Sequence, residues 1–240
     1  MNALYYGILI AGRVLPVVLL VPAFGGRRLP IPVKLGLVAC VVAAVYPQAG
    51  VAGPVPAGLA FIGLLLKELA VGTVLALAGS CLFEGMRMGG QLIDNLRGSA
   101  GAHALVPHSE ERTSPVGDLH LLLCILVFFA AGGPALFLRA LQQSLASLPV
   151  CCLPKAAQCA QAADLALAVT AQAIRMGVSI AFPAMVALLT ADMLLGFMNR
   201  TAPQIQVFFL GMPLRAIVGI LAVILTLDRS LERFVQVLLF

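Results

Sequence analysis

The sequence predicts an all-α, multi-helix membrane-class protein with long, kinked helices. Three observations carry that expectation. Hydrophobic residues make up 61% of the chain and charged residues only 10%, against about 25% charged in an ordinary soluble domain. The apolar residues fall into six long runs, and a membrane-spanning helix needs about 20 such residues. The runs are separated, and in places interrupted, by Pro and Gly, which turn or kink a chain. A fold of this size with so little polar surface needs lipid or partner subunits to cover its outside.

The runs are Ala3–Val21, Val33–Tyr46, Leu59–Phe83, Leu119–Leu138, Ala162–Met198 and Ile205–Leu227. The first starts without a basic leader and ends without a small-residue cleavage site, so it reads as a retained helix. The fifth would reach roughly 55 Å as one straight helix, well beyond a ~30 Å hydrocarbon core. It is therefore broken, kinked or partly outside the bilayer, with Gly177 and Pro183 as the natural break points. FGGRRLPIP, PQAGVAGPVP and NRTAP read as connectors, and 84–118 reads as the largest polar loop. One domain over 1–240 is the simplest organisation. With six alternating spans, the loops holding Arg27, Arg28, Lys34, Arg87, Arg97, Arg112 and Arg200 are the more basic side, which would be cytoplasmic.

The formal net charge is +5, but the basic residues are scattered singly and no Trp is present. That pattern marks loop ends rather than a nucleic-acid surface. Arg13, Lys67, Glu68, Arg175, Asp192 and Arg215 interrupt apolar runs. Each would cost about 2.5–3.5 kcal/mol at the centre of a lipid-facing helix, so they are expected to face other subunits or a wet lumen, or to snorkel near helix ends. Lys67 and Glu68 point about 100° apart on a helix and are expected to find separate partners.

Nothing in the chain predicts an enzyme, a cofactor or a metal. His103, His108 and His120 lack a ligand spacing and read as loop polarity. No G-x-S-x-G, P-loop or dinucleotide motif occurs. Cys40, Cys81 and Cys124 lie in apolar runs and read as small hydrophobes. Cys151, Cys152 and Cys159 lie in or beside a loop, where a disulfide to Cys159 stays open.

From Ala191 the chain reads ADMLLGFMNRTAPQIQVFFLGMPLRAIVG. Asp192, Gly196, Asn199, Arg200, Pro203, Gln204, Phe208, Phe209, Gly211, Pro213 and Arg215 resemble the pattern of the FliR/SctT family. Arg13, Pro22, Phe24, Pro30, Pro32 and Lys34 resemble its first loop region, and Lys67, Glu68 and Gly72 its K-E-x-x-x-G. Ile93, Asp94, Arg97 and Gly98 look more like the injectisome branch than the flagellar one. Where the family often has His after a paired Gly, this chain has Pro134, so no role for that His carries over.

The resemblance implies a core subunit of the type III protein export gate in the bacterial inner membrane. Its implied partners are FliP/SctR-type and FliQ/SctS-type subunits and an FlhB/SctU-type switch protein, in a hetero-oligomeric helical assembly that passes unfolded proteins. The stretch Gly101–Ser114, with Gly101, His103, Leu105, Val106, Pro107, His108, Glu110, Glu111 and Arg112 as its candidate plug residues, falls where the family has a lumen-plugging loop. Arg13, Lys67, Glu68, Asp94, Arg97, Asp192, Asn199, Arg200, Pro203, Gln204, Phe208, Phe209, Pro213 and Arg215 are the assembly and hinge candidates. Asn199–Pro203 reads either as an architectural hinge or as an ordinary helix–helix turn. The competing readings are a small-solute secondary transporter or channel, which predicts inverted repeats, an intramembrane enzyme, and a purely structural assembly factor.

Overall fold

The computed structural model describes residues 2–25, 29–48, 58–98, 114–202 and 207–239. Among these residues every regular element is helical. The α-helices are α1 (Asn2–Leu20), α2 (Ile31–Val45), α3 (Leu59–Leu96), α4 (Pro115–Ala130), α5 (Gly133–Ser147), α6 (Ala156–Thr201) and α7 (Val207–Leu239), with single 3₁₀ turns at Pro22–Phe24 and Tyr46–Gln48.

The residues pack into two compact units. The first comprises Met1–Phe83 and Phe128–Thr170, the second Glu84–Val127 and Ala171–Phe240. Helices α3, α4 and α6 each give one part to either unit.

In the first unit α1 buries Tyr6, Leu9, Ile10, Val14, Val17 and Val18, the three-and-four spacing that lines one face of a helix. That stripe meets Val38 and Val45 of α2, Leu64 of α3, and Leu141 and Leu145 of α5. Phe128 sits edge-on to Phe24 and Phe83. A side chain at Gly133 would collide with the Phe128 ring, so only glycine lets α5 begin there.

The second unit is held by small residues at close helix crossings. A Cβ on Gly85 would lie 2.8 Å from the Ala173 carbonyl, and one on Gly177 would lie 2.8 Å from the Gly85 carbonyl. A Cβ on Gly90 would lie 2.6 Å from the Cα of Gly117. Ile93, Val116, Ala181, Ala184, Ala222 and Val223 form the adjoining core.

Two expectations change here. The stretch 84–118 is not one polar loop: residues 84–96 continue α3, and α4 starts at Pro115. Its Gly85, Gly89 and Gly90 serve helix crossings, the close approach that small residues in helices allow. Nor does the fifth run break: α6 is one helix of 46 residues through Gly177 and Pro183. At about 69 Å it outruns a hydrocarbon core, so part of it lies beyond one. The 76° bend falls between α4 and α5, where Gly132 adopts a φ of 75° that favours glycine.

The six apolar runs differ in length as helices. Among the described residues three helices, α3, α6 and α7, are long and apolar enough to cross a membrane, or up to four spans if the bent α4–α5 pair counts as one. The described apolar stretches Leu4–Leu20 and Ile31–Val45 are shorter than these. Only 22% of the most apolar window of α7 is buried within the chain, which leaves most of that surface for lipid or other subunits.

Candidate functional site

Three groups of charged side chains tie the helices together. The deepest is in the first unit. Arg13 and Glu68 are both fully buried. The Arg13 guanidinium grips the Glu68 carboxylate with two donors, Nε to Oε2 and Nη2 to Oε1 at 3.1 Å. Nη1 also reaches Ser144 Oγ at 3.1 Å, and Nη2 the Leu148 carbonyl at 2.9 Å. Planar, two-point pairing of this kind is the strong form of a carboxylate–guanidinium contact.

Lys67 joins the same carboxylate through Oε1. Its ammonium also donates to the carbonyls of Pro149, Val150 and Cys152 at 3.2, 2.9 and 3.2 Å. The expectation of separate partners for Lys67 and Glu68 is therefore corrected. The flexible lysine stem spans the angle between neighbouring helical positions. The expectation that Arg13, Lys67 and Glu68 face a lumen or other subunits is corrected too: their charges are spent inside this chain.

The K-E-x-x-x-G spacing has a geometric reason. Glu68 and Gly72 lie one turn apart on the α3 face against α1. A Cβ on Gly72 would fall on the Arg13 carbonyl, and a Cβ on Gly12 would lie 3.5 Å from that of Glu68. Glycine at 72 lets the α1 backbone approach closely enough for Arg13 and Glu68 to meet.

The second group sits where α3 ends and α4 begins. Asp94, almost wholly buried, accepts from Ser114 Oγ at 2.6 Å and from the Val116 backbone N–H at 2.8 Å, and pairs with Arg97. Ser114 Oγ accepts from the Gly117 N–H at 3.1 Å. Two of the unpaired N–H groups at the start of α4 are thus capped, while Pro115 has none to cap. A Cβ on Gly219 would collide with the Arg97 side chain, so glycine there gives Arg97 room against α7. Arg87 adds a 3.3 Å ion pair to Asp118. Ser114, the last residue of the stretch expected to plug the lumen, instead caps α4, and Ser144 has no place in the sequence reading. Ser114 before Pro115 carries a legible helix-start signal, whereas nothing local marks Ser144.

The third group is a half-exposed ion pair between Arg215 Nε and Asp192 Oδ1 at 2.6 Å, linking α7 to α6. Arg175 is exposed on α6. Asn199 and Arg200 belong to the last turn of α6 rather than to a connector, where the positive side chain of Arg200 suits the helix C-terminus. Pro213 lies inside α7 and is exposed, as is Phe209. Pro203 and Gln204, the side chain of Phe208, and the whole candidate plug from Gly101 to Arg112 lie outside the described residues.

His120 is buried on α4, its Nδ1 2.8 Å from the Val116 carbonyl, so it is a packed helix residue rather than loop polarity. Among the described residues no cluster of His, Cys, Asp or Glu could hold a metal ion, and the six cysteines are free. The charged groups pair with one another and with backbone, an arrangement that fixes helices rather than activating a nucleophile.

A sequence model of the bacterial export proteins, family 1, matches residues 4–239. The chain is 30% identical over 210 residues to the flagellar biosynthetic protein FliR of Pectobacterium carotovorum subsp. carotovorum, covering 87% of this chain and 79% of that protein. It is 28% identical to the secretion system apparatus protein SsaT of Salmonella typhimurium, covering 72% of this chain and 66% of the relative. It is 29% identical to the Yop proteins translocation protein T of Yersinia pestis, covering 68% and 62%.

Proposed function

Because the chain belongs to the bacterial export proteins, family 1, we propose that it is a core, non-enzymatic subunit of a type III protein export gate. It sits in the inner membrane and forms part of the channel through which unfolded proteins cross that membrane. The observation that carries this reading is the family match across nearly the whole chain. The physical complement is a set of membrane-length helices whose apolar surface is mostly left uncovered by the chain itself. A lone solute transporter would surround its polar groups with its own helices. Here the deepest charges are buried by the chain's own helices but are paired off with one another, which leaves them no charge to offer a solute.

In this reading the chain works as one export domain, with FliP/SctR-type and FliQ/SctS-type subunits packed on the apolar surface and an FlhB/SctU-type protein alongside. Ile93, Asp94, Arg97 and Gly98 favour the injectisome branch. The Gly101–Arg112 stretch plugs the lumen at rest. Asp192, Arg215, Arg200 and the residues around Pro203 set the angle at which α7 leaves α6. Arg13, Lys67 and Glu68 contribute indirectly, by holding rigid the body against which partners assemble.

The test is co-expression with the two candidate partner types, followed by the mass of the detergent-solubilised complex. A discrete hetero-oligomer containing one copy of this chain is expected. A monomer that ignores both partners, combined with solute uptake by the chain alone, would favour the transporter. In assembled complexes, deleting the expected plug stretch short of the Ser114 cap, residues 101–113, is expected to raise ion leak, and unchanged leak would remove the plug assignment.

A further inference from the structure

The Lys67 ammonium has surroundings that an ordinary ion pair does not need. Three backbone carbonyls, those of Pro149, Val150 and Cys152, converge on Nζ at 2.9–3.2 Å, with Glu68 Oε1 as a fourth oxygen. The carbonyls belong to one tight turn, closed by the Cys152 N–H donating to the Pro149 carbonyl at 3.1 Å. Turning several carbonyls of one short segment toward a single point sets their dipoles against one another, and only a cation at that point offsets the repulsion. Oxygen cages of this kind are how proteins hold bare monovalent ions.

We propose that residues 149–152 and Glu68 form a monovalent-cation cradle that the chain fills with its own ammonium. Lys67 is then a tethered cation and a positioning residue: it holds the turn that leads into α6, which starts at Ala156. Arg13 completes the arrangement. It holds both oxygens of Glu68 and the Leu148 carbonyl, which fixes Oε1, shared by Arg13 and Lys67, at the cradle. The lysine side chain is nearly buried, so the cradle is shielded from bulk ions while the tether is intact. This inference stands independently of the export reading, because every group in it lies within one unit of this chain.

Cys151 and Cys152 report on the turn, being free and exposed within it. The test uses the full-length chain in the membrane, with the other four cysteines replaced, and follows maleimide labelling. Lys67→Ala is expected to raise the labelling rate about tenfold as the turn opens locally. Potassium or ammonium chloride should then lower the rate again, saturating with concentration, whereas the chloride of a bulky quaternary ammonium should not. Lys67→Met fills the same space without charge and is expected to stay fast in every salt. An unchanged rate in Lys67→Ala would overturn the proposal. So would a raised rate that no small cation lowers, the outcome of a merely structural lysine.

If Lys67→Ala fails to accumulate, the unsubstituted side chain can be read directly. The chain has three lysines, Lys34, Lys67 and Lys155. In ¹⁵N-lysine-labelled protein an ammonium held by four oxygens gives a slowly exchanging signal that survives both Lys34→Arg and Lys155→Arg. Solvent-rate exchange for every signal in the doubly substituted protein would sink the cradle.

Discussion

Glu68 carries more of the first unit than any other single carboxylate. It is fully buried and answers both Arg13 and Lys67. Removing one partner of a buried ion pair leaves an uncompensated charge and costs about 3–5 kcal/mol. Glu68→Gln is expected to lower stability by that order in thermal unfolding of the detergent-solubilised chain. Arg13→Leu combined with Glu68→Gln should cost less than the sum of the single changes, because the pair is coupled. Asp94 works differently, as a cap borrowed from another helix. Asp94→Ala is expected to cost about 1–2 kcal/mol, the scale of a lost helix cap. The loss should show as faster amide exchange at Val116 and Gly117, with the far end of α4 unaffected.

The glycines divide by what surrounds them. Gly72 lies against the backbone of Arg13 and Gly90 against that of Gly117, whereas Gly36 on α2 has nothing within 4 Å of where a Cβ would stand. Gly72→Val is expected to separate α1 from α3 and break the Arg13–Glu68 contact, destabilising the chain by about 1–3 kcal/mol as an overpacked site. Gly36→Ala is expected to raise stability by about 0.5–1 kcal/mol through helix propensity alone. Melting curves of the two variants beside the parent protein check both directions. Sequence spacing does not separate the two kinds of glycine, since Gly72 and Gly36 both sit in apolar runs. The difference lies in which backbone crosses behind it. The same cause hid the extent of α3: the charges of 84–96 look like a connector until the helices they touch are in place.

Across the molecule, membrane-length helices keep most of their apolar surface outside any packing within the chain. Exposed side chains such as Phe182, Leu189, Phe197, Ile217, Ile224 and Leu225 need a non-aqueous or protein environment. The chain purified alone is expected to aggregate when detergent is withdrawn, and the co-purified hetero-oligomer to stay dispersed longer under the same dilution. Equal aggregation of both by light scattering would count against partners covering that surface.

Composition and apolar run length by themselves determined the helical, membrane-class character of this protein, because lipid-facing segments leave an unambiguous excess of hydrophobic residues. The motif around Asn199 to Arg215 likewise pointed to the family on residue identities alone. The tertiary structure decided where the charges go. Arg13, Lys67 and Glu68 are unfavourable in isolated apolar helices, and which groups offset them, Ser144 and the Leu148–Cys152 carbonyls, depends on contacts between residues more than 50 positions apart. It also decided that α6 runs unbroken past Pro183 and that α3 continues through its glycines. Helix continuity and helix crossing are settled by neighbours brought together in space, and local spacing does not encode them.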